Sequence, residues 1–243
     1  MTRNAPLLSC EKLAIGYGGK TLLPPLSLDI HRGELVVVVG GNGAGKSTWV
    51  KTVLGLVPPI DGRVHTSSPA PKMAYIPQVS ELDELLPIRV REVVGWGRIC
   101  GAGFLWPLAR AADRKRRDRA LEDAGCAHLA RKRVRDLSGG QRQRVLIARV
   151  LASDADLAIL DEPTAALDLA GERDTYLQLA EVARTRNIGV VAVSHALSAA
   201  TRHASRVIFF DPGSVEREGA VHVGEPAAVL ASAAFRAQFG EVS

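Results

Sequence analysis

The sequence predicts an α/β fold in which helices cover a parallel sheet and a helical segment is inserted in mid-chain. Short apolar runs alternate with helix-compatible segments between residues 157 and 210, a pattern typical of parallel strands with helices between them. A glycine-rich loop near residue 40 joins an apolar run to a helix-compatible segment. Between residues 80 and 135, helical periodicity replaces strand-like runs, so we predict a helical insertion there.

Turn residues and apolar runs delimit the individual elements. In the first third of the chain we predict strands over residues 7–13, 22–30 and 35–39. A helix over residues 47–56 and a short strand over residues 73–76 follow. Helical periodicity in the insertion covers residues 90–94 and 111–124. The last part is predicted to contain three strands, over residues 157–160, 189–193 and 207–210, and a helix over residues 169–185.

Length and composition are those of a globular protein. The 243 residues suffice for one sizeable core, or for a core and a small second domain, and 47% hydrophobic with 23% charged residues is ordinary. No stretch approaches the ~20 apolar residues of a membrane span, and the first residues lack the apolar core of a signal peptide. The three cysteines are unclustered, which argues against disulfides or a zinc site. We therefore expect the chain to stay in the cytoplasm.

The net charge of +5 comes largely from residues 110–119 and 131–135. Because acidic residues are interspersed, a solvated helix face is the first interpretation, and a position near anionic lipid headgroups is the second. Nucleic-acid binding is the third, because no recognition motif accompanies the charge. We expect no nucleic-acid partner.

The glycine-rich loop fits the phosphate-binding pattern Gly-x-x-x-x-Gly-Lys-Ser/Thr. It consists of Gly40, Gly41, Asn42, Gly43, Ala44, Gly45, Lys46 and Ser47. Glycines let successive N–H groups turn toward a phosphate, and the positive end of the following helix adds its field. Lys46 would place its charge near the terminal phosphates, and the Ser47 hydroxyl can bind Mg²⁺. An ordinary glycine-rich turn is the alternative, but the flanking strand and helix favour the phosphate site.

Two carboxylates follow the apolar run of residues 157–160. In P-loop proteins such an aspartate helps to hold Mg²⁺, so Asp161 takes that role. Glu162 points to another side of the strand end, where it is placed to polarise an attacking water as general base. An ordinary strand end is the alternative for this pair alone. The glycine-rich loop makes the nucleotide interpretation the stronger one.

A second glycine-containing motif precedes a long helix. Leu137 is followed by Ser138, Gly139, Gly140 and Gln141. The free N–H groups of such a helix start form a second potential anion site. One chain then has a P-loop and a separate phosphate-binding helix start, which suggests that the second motif faces the nucleotide of another copy. A plain helix cap by Ser138 is the alternative.

These motifs, in this order, closely resemble the nucleotide-binding subunits of ABC transporters, and the resemblance covers essentially the whole chain. It implies a P-loop NTPase fold, with a RecA-like core and an antiparallel β region over residues 1–79 and 154–243. Residues 80–153 would form a helical subdomain that carries the second glycine-containing motif. The resemblance also implies that two subunits pack head to tail and bury two ATP molecules.

The resemblance further assigns residues to nucleotide binding. Tyr17 would stack on adenine, and Gly40 to Thr48 would hold the phosphates. Ser138, Gly139, Gly140 and Gln141 would reach the γ-phosphate across the dimer, and Asp168 would lie in a loop that links the two sites. Gly41 stands where the family often has proline. We expect binding to survive that change because no N–H donor is lost.

Catalytic and magnesium roles follow from the same resemblance. Asp161 and Ser47 would belong to the Mg²⁺ site, and Gln78 would contact both Mg²⁺ and the attacking water. Glu162 would be the general base, and His195 would sense the γ-phosphate.

The resemblance also implies separate integral membrane permease subunits as partners, because this chain has no predicted span. The ATPase would then lie at the cytoplasmic face of the inner (plasma) membrane, with an extracytoplasmic substrate-binding protein as an indirect partner. The helical insertion beside Gln78 would be the coupling surface. A candidate contact patch there comprises Trp96, Phe104, Leu105 and Trp106, for which core packing is the alternative.

Residues 90–98, 103–117 and 239–242 resemble importers of metals, most closely the zinc and manganese branch. Importers of siderophores, haem or cobalamin are the alternative. A soluble ABC ATPase acting on nucleic acid or ribosomes is disfavoured, because such proteins usually carry two ATPase halves or long coiled-coil insertions. A nucleotide-gated module that barely hydrolyses ATP is disfavoured by the presence of Glu162 and His195.

Overall fold

The computed structural model describes the chain in six stretches, residues 5–77, 88–96, 111–165, 167–195, 197–211 and 221–240. Gln78, Phe104, Leu105 and Trp106 lie outside the described residues, as does the side chain of Trp96. The predictions made for these residues are therefore untested by the structure.

A three-stranded antiparallel sheet begins the described part of the chain. Its strands are β1 (Leu8–Tyr17), β2 (Lys20–Ile30) and β4 (Asp61–Thr66), in the order β2-β1-β4. The β1–β2 hairpin turns at Gly18 and Gly19, whose φ angles of 57° and 79° suit a tight hairpin turn. This sheet is the antiparallel β region that the resemblance implies.

A second, mostly parallel sheet forms the centre of the fold, in the order β5-β6-β7-β3-β8-β9. Its strands are β3 (Leu35–Gly40), β5 (Met73–Ile76), β6 (Leu157–Asp161), β7 (Gly189–Ser194), β8 (Arg206–Phe210) and β9 (Val221–Gly224). Neighbours pair in parallel except β8 with β9. Every residue of β3 and β7 is buried, as expected for strands covered on both faces.

The described residues also contain eight α-helices. In chain order, α1 to α8 are Lys46–Val53, Val90–Trp96, Ala111–Asp123, Gly139–Ser153, Leu169–Arg186, Leu197–His203, Pro226–Leu230 and Ala233–Phe239. Two short 3₁₀ turns, Ala127–Leu129 and Val134–Asp136, connect α3 to α4.

Alternate residues of the central sheet face two different apolar clusters. On one side, Val36 and Val38 pack with the antiparallel sheet and with Trp49 of α1. On the other side, Val37 and Val39 pack in a cluster that includes α4, α5, α7 and α8. The loops at the carboxyl ends of β3, β6 and β7 are therefore held by a core on both faces.

A third apolar cluster holds the helical insertion together. It joins α2, α3 and α4 through buried side chains such as Val94, Leu121 and Val145. Ala124 and Leu151 pack against both this cluster and the sheet core, so the insertion is attached through α4. The predicted helical insertion is present. Its predicted bounds, residues 80–153, remain a prediction.

The predicted fold class is confirmed, but several elements differ. The strand predicted over residues 7–13 continues to Tyr17, because the β1–β2 pairing extends past Gly16, where a Cβ would come 1.9 Å from Lys20 O. Strands β4 and β9 were missed, since both are short, partly polar and lie at sheet edges. Residues 131–133 are not part of a helix, so the helix-face interpretation fails there.

Candidate functional site

The glycine-rich loop turns sharply between β3 and α1. A Cβ on Gly40 would come 2.6 Å from Phe210 O on the neighbouring strand, so only glycine fits there without a shift. Gly43 and Gly45 have φ angles of 79° and 93°, which L-residues with a side chain rarely adopt. Gly45 is the N-cap residue of α1. The glycines are therefore required partly by the local backbone angles and partly by the close approach of β8.

Lys46 is folded back over the loop and is only 7% exposed. Its Nζ donates hydrogen bonds to Gly40 O at 2.7 Å and to Gly41 O at 3.0 Å. Burial lowers the pKa of Lys46, and the nearby carboxylates of Glu162 and Asp161 oppose that effect. A cation held in this way is available to pair with an anion that enters the loop.

A cavity of about 370 Å³ lies over the loop. It is lined by Leu22, Asn42, Gly43, Ala44, Gly45, Lys46, Ser47, Thr48, Asp161, Glu162, Val193 and His195. Residues far apart in sequence meet here because parallel strands bring their carboxyl ends to the same edge of the sheet. The structure thus gathers most of the predicted phosphate loop, both strand-end carboxylates and the predicted sensor histidine in one place.

Glu162 and His195 are in direct contact across that edge. His195 Nε2 lies 3.0 Å from Glu162 Oε1. Glu162 has a left-handed φ of 46°, and its N–H donates to Val193 O at 3.0 Å, which fixes the turn after β6. The side chain of Glu162 is 19% exposed and that of His195 is 48% exposed, so the pair sits at the wall of the cavity.

The electrostatics of this pair follow from the surroundings. Burial raises the pKa of Glu162, Lys46 lowers it and Asp161 raises it. Burial and the Lys46 charge lower the pKa of His195, and Asp161 acts in the opposite direction. We therefore take His195 as neutral near pH 7, so that its ring can donate Nε2–H to the Glu162 carboxylate.

Asp161 is oriented by a residue that the sequence did not indicate. The Tyr75 hydroxyl on β5 donates a hydrogen bond to Asp161 Oδ2 at 2.8 Å. Tyr75 pairs with Ile159 of β6, so the register of two neighbouring strands places its ring beside the strand end. Nothing in the sequence marks that register, which explains why Tyr75 was missed.

The second glycine-containing motif lies elsewhere. Ser138, Gly139 and Gly140 are exposed, and none of residues 138–141 lines the cavity. Ser138 caps α4: its N–H donates to Gln141 Oε1 at 3.2 Å, while its side chain accepts from the Gln141 N–H. The plain-cap interpretation therefore describes this chain taken alone, and the motif is left facing outward.

Asp168 is the N-cap residue of α5, and its neighbour Leu167 lies close to the same motif. Asp168 Oδ1 accepts a hydrogen bond from the Gly171 N–H at 2.9 Å. The preceding residue, Leu167, reaches within 3.3 Å of where a Cβ of Gly139 would stand. The loop predicted to link two sites is thus in contact with the second motif of its own chain.

Tyr17 is 51% exposed at the end of β1 and is not among the residues that line the cavity. Its ring is free to meet a ligand, and its predicted role as an adenine platform remains a prediction.

Comparison with known proteins identifies the family. Residues 23–165 match the family described as ABC transporter. The chain belongs to that family. The predicted resemblance is therefore confirmed, and the chain is an ATPase of the ABC type.

Individual relatives and structures agree with this membership. The zinc import ATP-binding protein ZnuC of Chromohalobacter salexigens is 38% identical, over 96% of this chain and 90% of that protein. A protein described as a metal-chelate type ABC transporter, in an inward-facing conformation, is 29% identical with a TM-score of 0.81, covering 97% of this chain and 89% of that one. A bacterial ABC transporter cassette, described in a dimeric structure, is 28% identical with a TM-score of 0.64, covering 86% of this chain and 97% of that one.

Among the described residues, none of the helices combines the length and apolar character that crossing a bilayer requires.

Proposed function

We propose that the chain is the ATPase subunit of a zinc importer, in which two copies close on two ATP molecules and drive separate membrane subunits. The observation that carries the ATPase part is the single cavity in which Lys46, Asp161, Glu162 and His195 converge over the glycine-rich loop. The 38% identity to a zinc import ATP-binding protein over nearly the whole chain supports the cargo.

ATP would bind with its phosphates in the loop. The N–H groups at the start of α1 would face the phosphate oxygens, and Lys46 would exchange its bonds to Gly40 O and Gly41 O for bonds to the β- and γ-phosphates. Because Lys46 is buried, this pairing occurs in a medium of low effective dielectric, where it is strong.

The donor set beside the phosphates suits Mg²⁺. A hydroxyl, Ser47, and a carboxylate, Asp161, both line the cavity, and hard oxygen ligands of this kind are those that Mg²⁺ prefers. Ser47 and Asp161 would hold the ion, with Gln78 as a further ligand, and the ion would neutralise charge on the phosphates. Tyr75 keeps one oxygen of Asp161 in place.

Glu162 would take a proton from the attacking water. The water oxygen bonds to the γ-phosphorus, the bond to the bridging oxygen breaks, and ADP and phosphate leave. The raised pKa of Glu162 makes its carboxylate a stronger proton acceptor than an ordinary one. His195, neutral and bonded to Glu162, would hold that carboxylate and contact the γ-phosphate.

A second copy would complete each site. Within one chain the Ser138 motif is exposed and away from the cavity, so its contact with a γ-phosphate requires another molecule. The contact of Leu167 with Gly139 offers a path by which occupation of one site affects the other. The dimeric structure of a related cassette supports this arrangement.

Membrane permease subunits would receive the motion at the cytoplasmic face of the membrane, and an extracytoplasmic binding protein would deliver the cargo. Import of a metal chelate is a second candidate, favoured by the 29% identity and TM-score of 0.81 with a metal-chelate type transporter.

The cargo is tested by uptake into cells that lack the gene for this chain. We expect zinc uptake, followed with a radioactive tracer under zinc limitation, to be restored by the wild-type chain and not by Glu162→Gln. Uptake of a ferric siderophore serves as the comparison. Restoration of siderophore uptake alone would contradict the zinc assignment in favour of the chelate one.

A further inference from the structure

A short backbone ribbon collects basic side chains immediately before the Ser138 motif. Three backbone hydrogen bonds of 3.0 Å join residues 88–91 to residues 130–135. Arg89 and Arg133 form an antiparallel bridge at its centre. We call these two segments the basic ribbon. No motif in either segment predicts this pairing.

The basic ribbon has an apolar side and a charged side. Ile88, Val90 and Val134 are buried in the cluster that holds the helical insertion together. The other side carries six basic residues, Arg89, Arg91, Arg131, Lys132, Arg133 and Arg135, of which all but the half-buried Arg91 are exposed. The charged side is therefore held in a defined position by the apolar side beneath it.

Within the described ranges, few carboxylates are paired with these charges. Among the residues that the structure describes, Arg135 approaches Asp136 at 3.7 Å, and no ion pair involves the other five. The carboxylate of Glu92, which follows Arg91 in sequence, already accepts the Arg89 N–H at 2.8 Å.

Helix α3 provides the contrast, because its basic residues alternate with acids and several are paired. Arg116 meets Asp154 at 2.5 Å, and Arg117 meets Asp118 at 2.6 Å. The excess positive charge of the helical region is therefore concentrated on the basic ribbon rather than on α3.

We propose that the basic ribbon docks an acidic peptide segment of the membrane subunit, an inference that rests on the proposed function. Five of its six basic residues are arginines, whose planar guanidinium groups bind carboxylates with two hydrogen bonds. Docking costs little conformational entropy on the side of the ribbon, because its backbone is already fixed.

A lipid surface fits the basic ribbon less well than a peptide does. Segments that lie in a membrane interface combine basic residues with apolar or aromatic side chains that enter the headgroup region, and these anchor them more firmly than charge alone does. The apolar side chains of the basic ribbon all face inward, which leaves charge alone on the outside. A row of peptide carboxylates satisfies this surface without apolar insertion.

Docking here would act directly on the second glycine-containing motif. The 3₁₀ turn Val134–Asp136 ends the basic ribbon, and Leu137, buried in the same cluster, is followed at once by Ser138. Only Asp136 and Leu137 thus separate a partner bound to the ribbon from Ser138, in the motif that would meet the γ-phosphate of the second copy.

The test uses two variants with the same change in net charge. Arg131→Glu/Arg133→Glu reverses charge on the basic ribbon, and Lys115→Glu/Arg119→Glu reverses exposed charge on α3. Each chain is co-expressed with the membrane subunit, and the affinity of the complex is measured over a range of salt concentrations. We expect the ribbon variant to assemble about tenfold more weakly with a smaller salt dependence, and the α3 variant to assemble as the wild type does.

Rescue supplies the specific readout. Changing acidic residues in the cytoplasmic loops of the membrane subunit to lysine should restore assembly with the ribbon variant. Equal assembly of both variants and the wild type would overturn the inference and leave the proposed function standing. Failure of the wild-type chain to assemble, although it binds ATP, would overturn both.

A vesicle experiment distinguishes the lipid source of negative charge. The purified chain is sedimented with phosphatidylethanolamine–phosphatidylglycerol vesicles. We expect no binding that depends on the basic ribbon. Binding by the wild type that is lost in Arg131→Glu/Arg133→Glu would identify lipid as the occupant and overturn the peptide proposal.

Discussion

Two helices, α1 and α4, begin within glycine-containing motifs, yet their first turns lie in opposite environments. α1 begins at the floor of a cavity of about 370 Å³, beside the buried Lys46 and two carboxylates. α4 begins at the surface, and its first residues, Gly139 and Gly140, are exposed. Ser138 and Gln141 already cap that helix from within the chain.

The difference shows what turns a helix start into an anion site. Both starts have N–H groups and a favourable dipole. Only α1 adds a buried cation and walls that lower the local dielectric, which strengthens the attraction for a phosphate. In a single chain, the start of α4 lacks such walls. It can therefore bind a phosphate only where a second copy supplies them.

The largest effect is expected from Glu162→Gln. Losing the proton acceptor should lower ATP hydrolysis by about 10³-fold, because general-base catalysis contributes on that order. ATP binding should remain, so that size-exclusion chromatography with ATP shows a trapped dimer. Asp174→Asn, at an exposed carboxylate of α5, is the control and should hydrolyse ATP normally. A variant that elutes as a monomer with ATP would count against completion by a second copy.

Lys46→Ala should abolish measurable ATP binding in calorimetry, a loss of at least about 100-fold. The variant removes the buried cation that bonds to Gly40 O and Gly41 O and is placed to meet the phosphates. Lys51→Ala, on the exposed side of α1, is the matched control. Unchanged affinity in Lys46→Ala would refute the assigned cradle.

Gly140→Asp tests the other helix start. A Cβ there meets nothing within 4 Å, so the fold should tolerate the change. The added negative charge should repel the γ-phosphate of a second copy and lower hydrolysis about tenfold or more, while affinity for ATP in the monomer stays the same.

Mixing the Gly140→Asp and Lys46→Ala variants tests whether the start of α4 acts on the site of a second copy. One composite site of a Gly140→Asp and Lys46→Ala heterodimer has both parts intact, so a mixture should hydrolyse more ATP than either variant alone. No gain on mixing, or a weakened monomer affinity, would show that α4 acts within its own chain. Gly140→Ser provides the uncharged control.

Tyr75→Phe should have a smaller effect, confined to the magnesium dependence. Without the 2.8 Å hydrogen bond, Asp161 loses its fixed orientation. We expect half-maximal ATPase activity to need about tenfold more Mg²⁺, in line with the usual cost of removing a residue that orients a metal ligand. An unchanged Mg²⁺ titration would show that Tyr75 has no part in the site.

The smallest effect concerns stability at the opposite edge of the sheet. Burial raises the pKa of Asp156, but the Lys72 N–H at 2.8 Å and Arg32 at 2.6 Å outweigh it and hold that pKa below its ordinary value. A lowered folded-state pKa stabilises the protein above the unfolded-state value of about 4, and the gain disappears as pH falls through the folded-state value.

Asp156→Asn should therefore lower the free energy of unfolding by up to about 1 kcal/mol at pH 7 and by less at pH 3. Urea unfolding at the two pH values measures the difference. A loss of equal size at both values would show that the charge of Asp156 is not the cause.

Most of the successful predictions came from patterns that extend over only a few residues of the sequence. The phosphate loop depends on glycines whose backbone angles are local properties, and the strands of the central sheet read as apolar runs because both of their faces are buried. The strands β4 and β9 were missed because they are short, partly polar and lie at sheet edges, where alternation of buried and exposed residues is weak.

The sequence was enough to predict the α/β class, the helical insertion, the turn of the phosphate loop and the pair of carboxylates, Asp161 and Glu162, at the end of β6. Steric limits on the backbone and the periodicity of burial act within a few residues and therefore leave a readable pattern. Three contacts became visible only in the folded chain: Tyr75 with Asp161, His195 with Glu162, and Arg89 beside Arg133. Those contacts depend on strand order, register and loop pairing, which arise from the packing of the whole core.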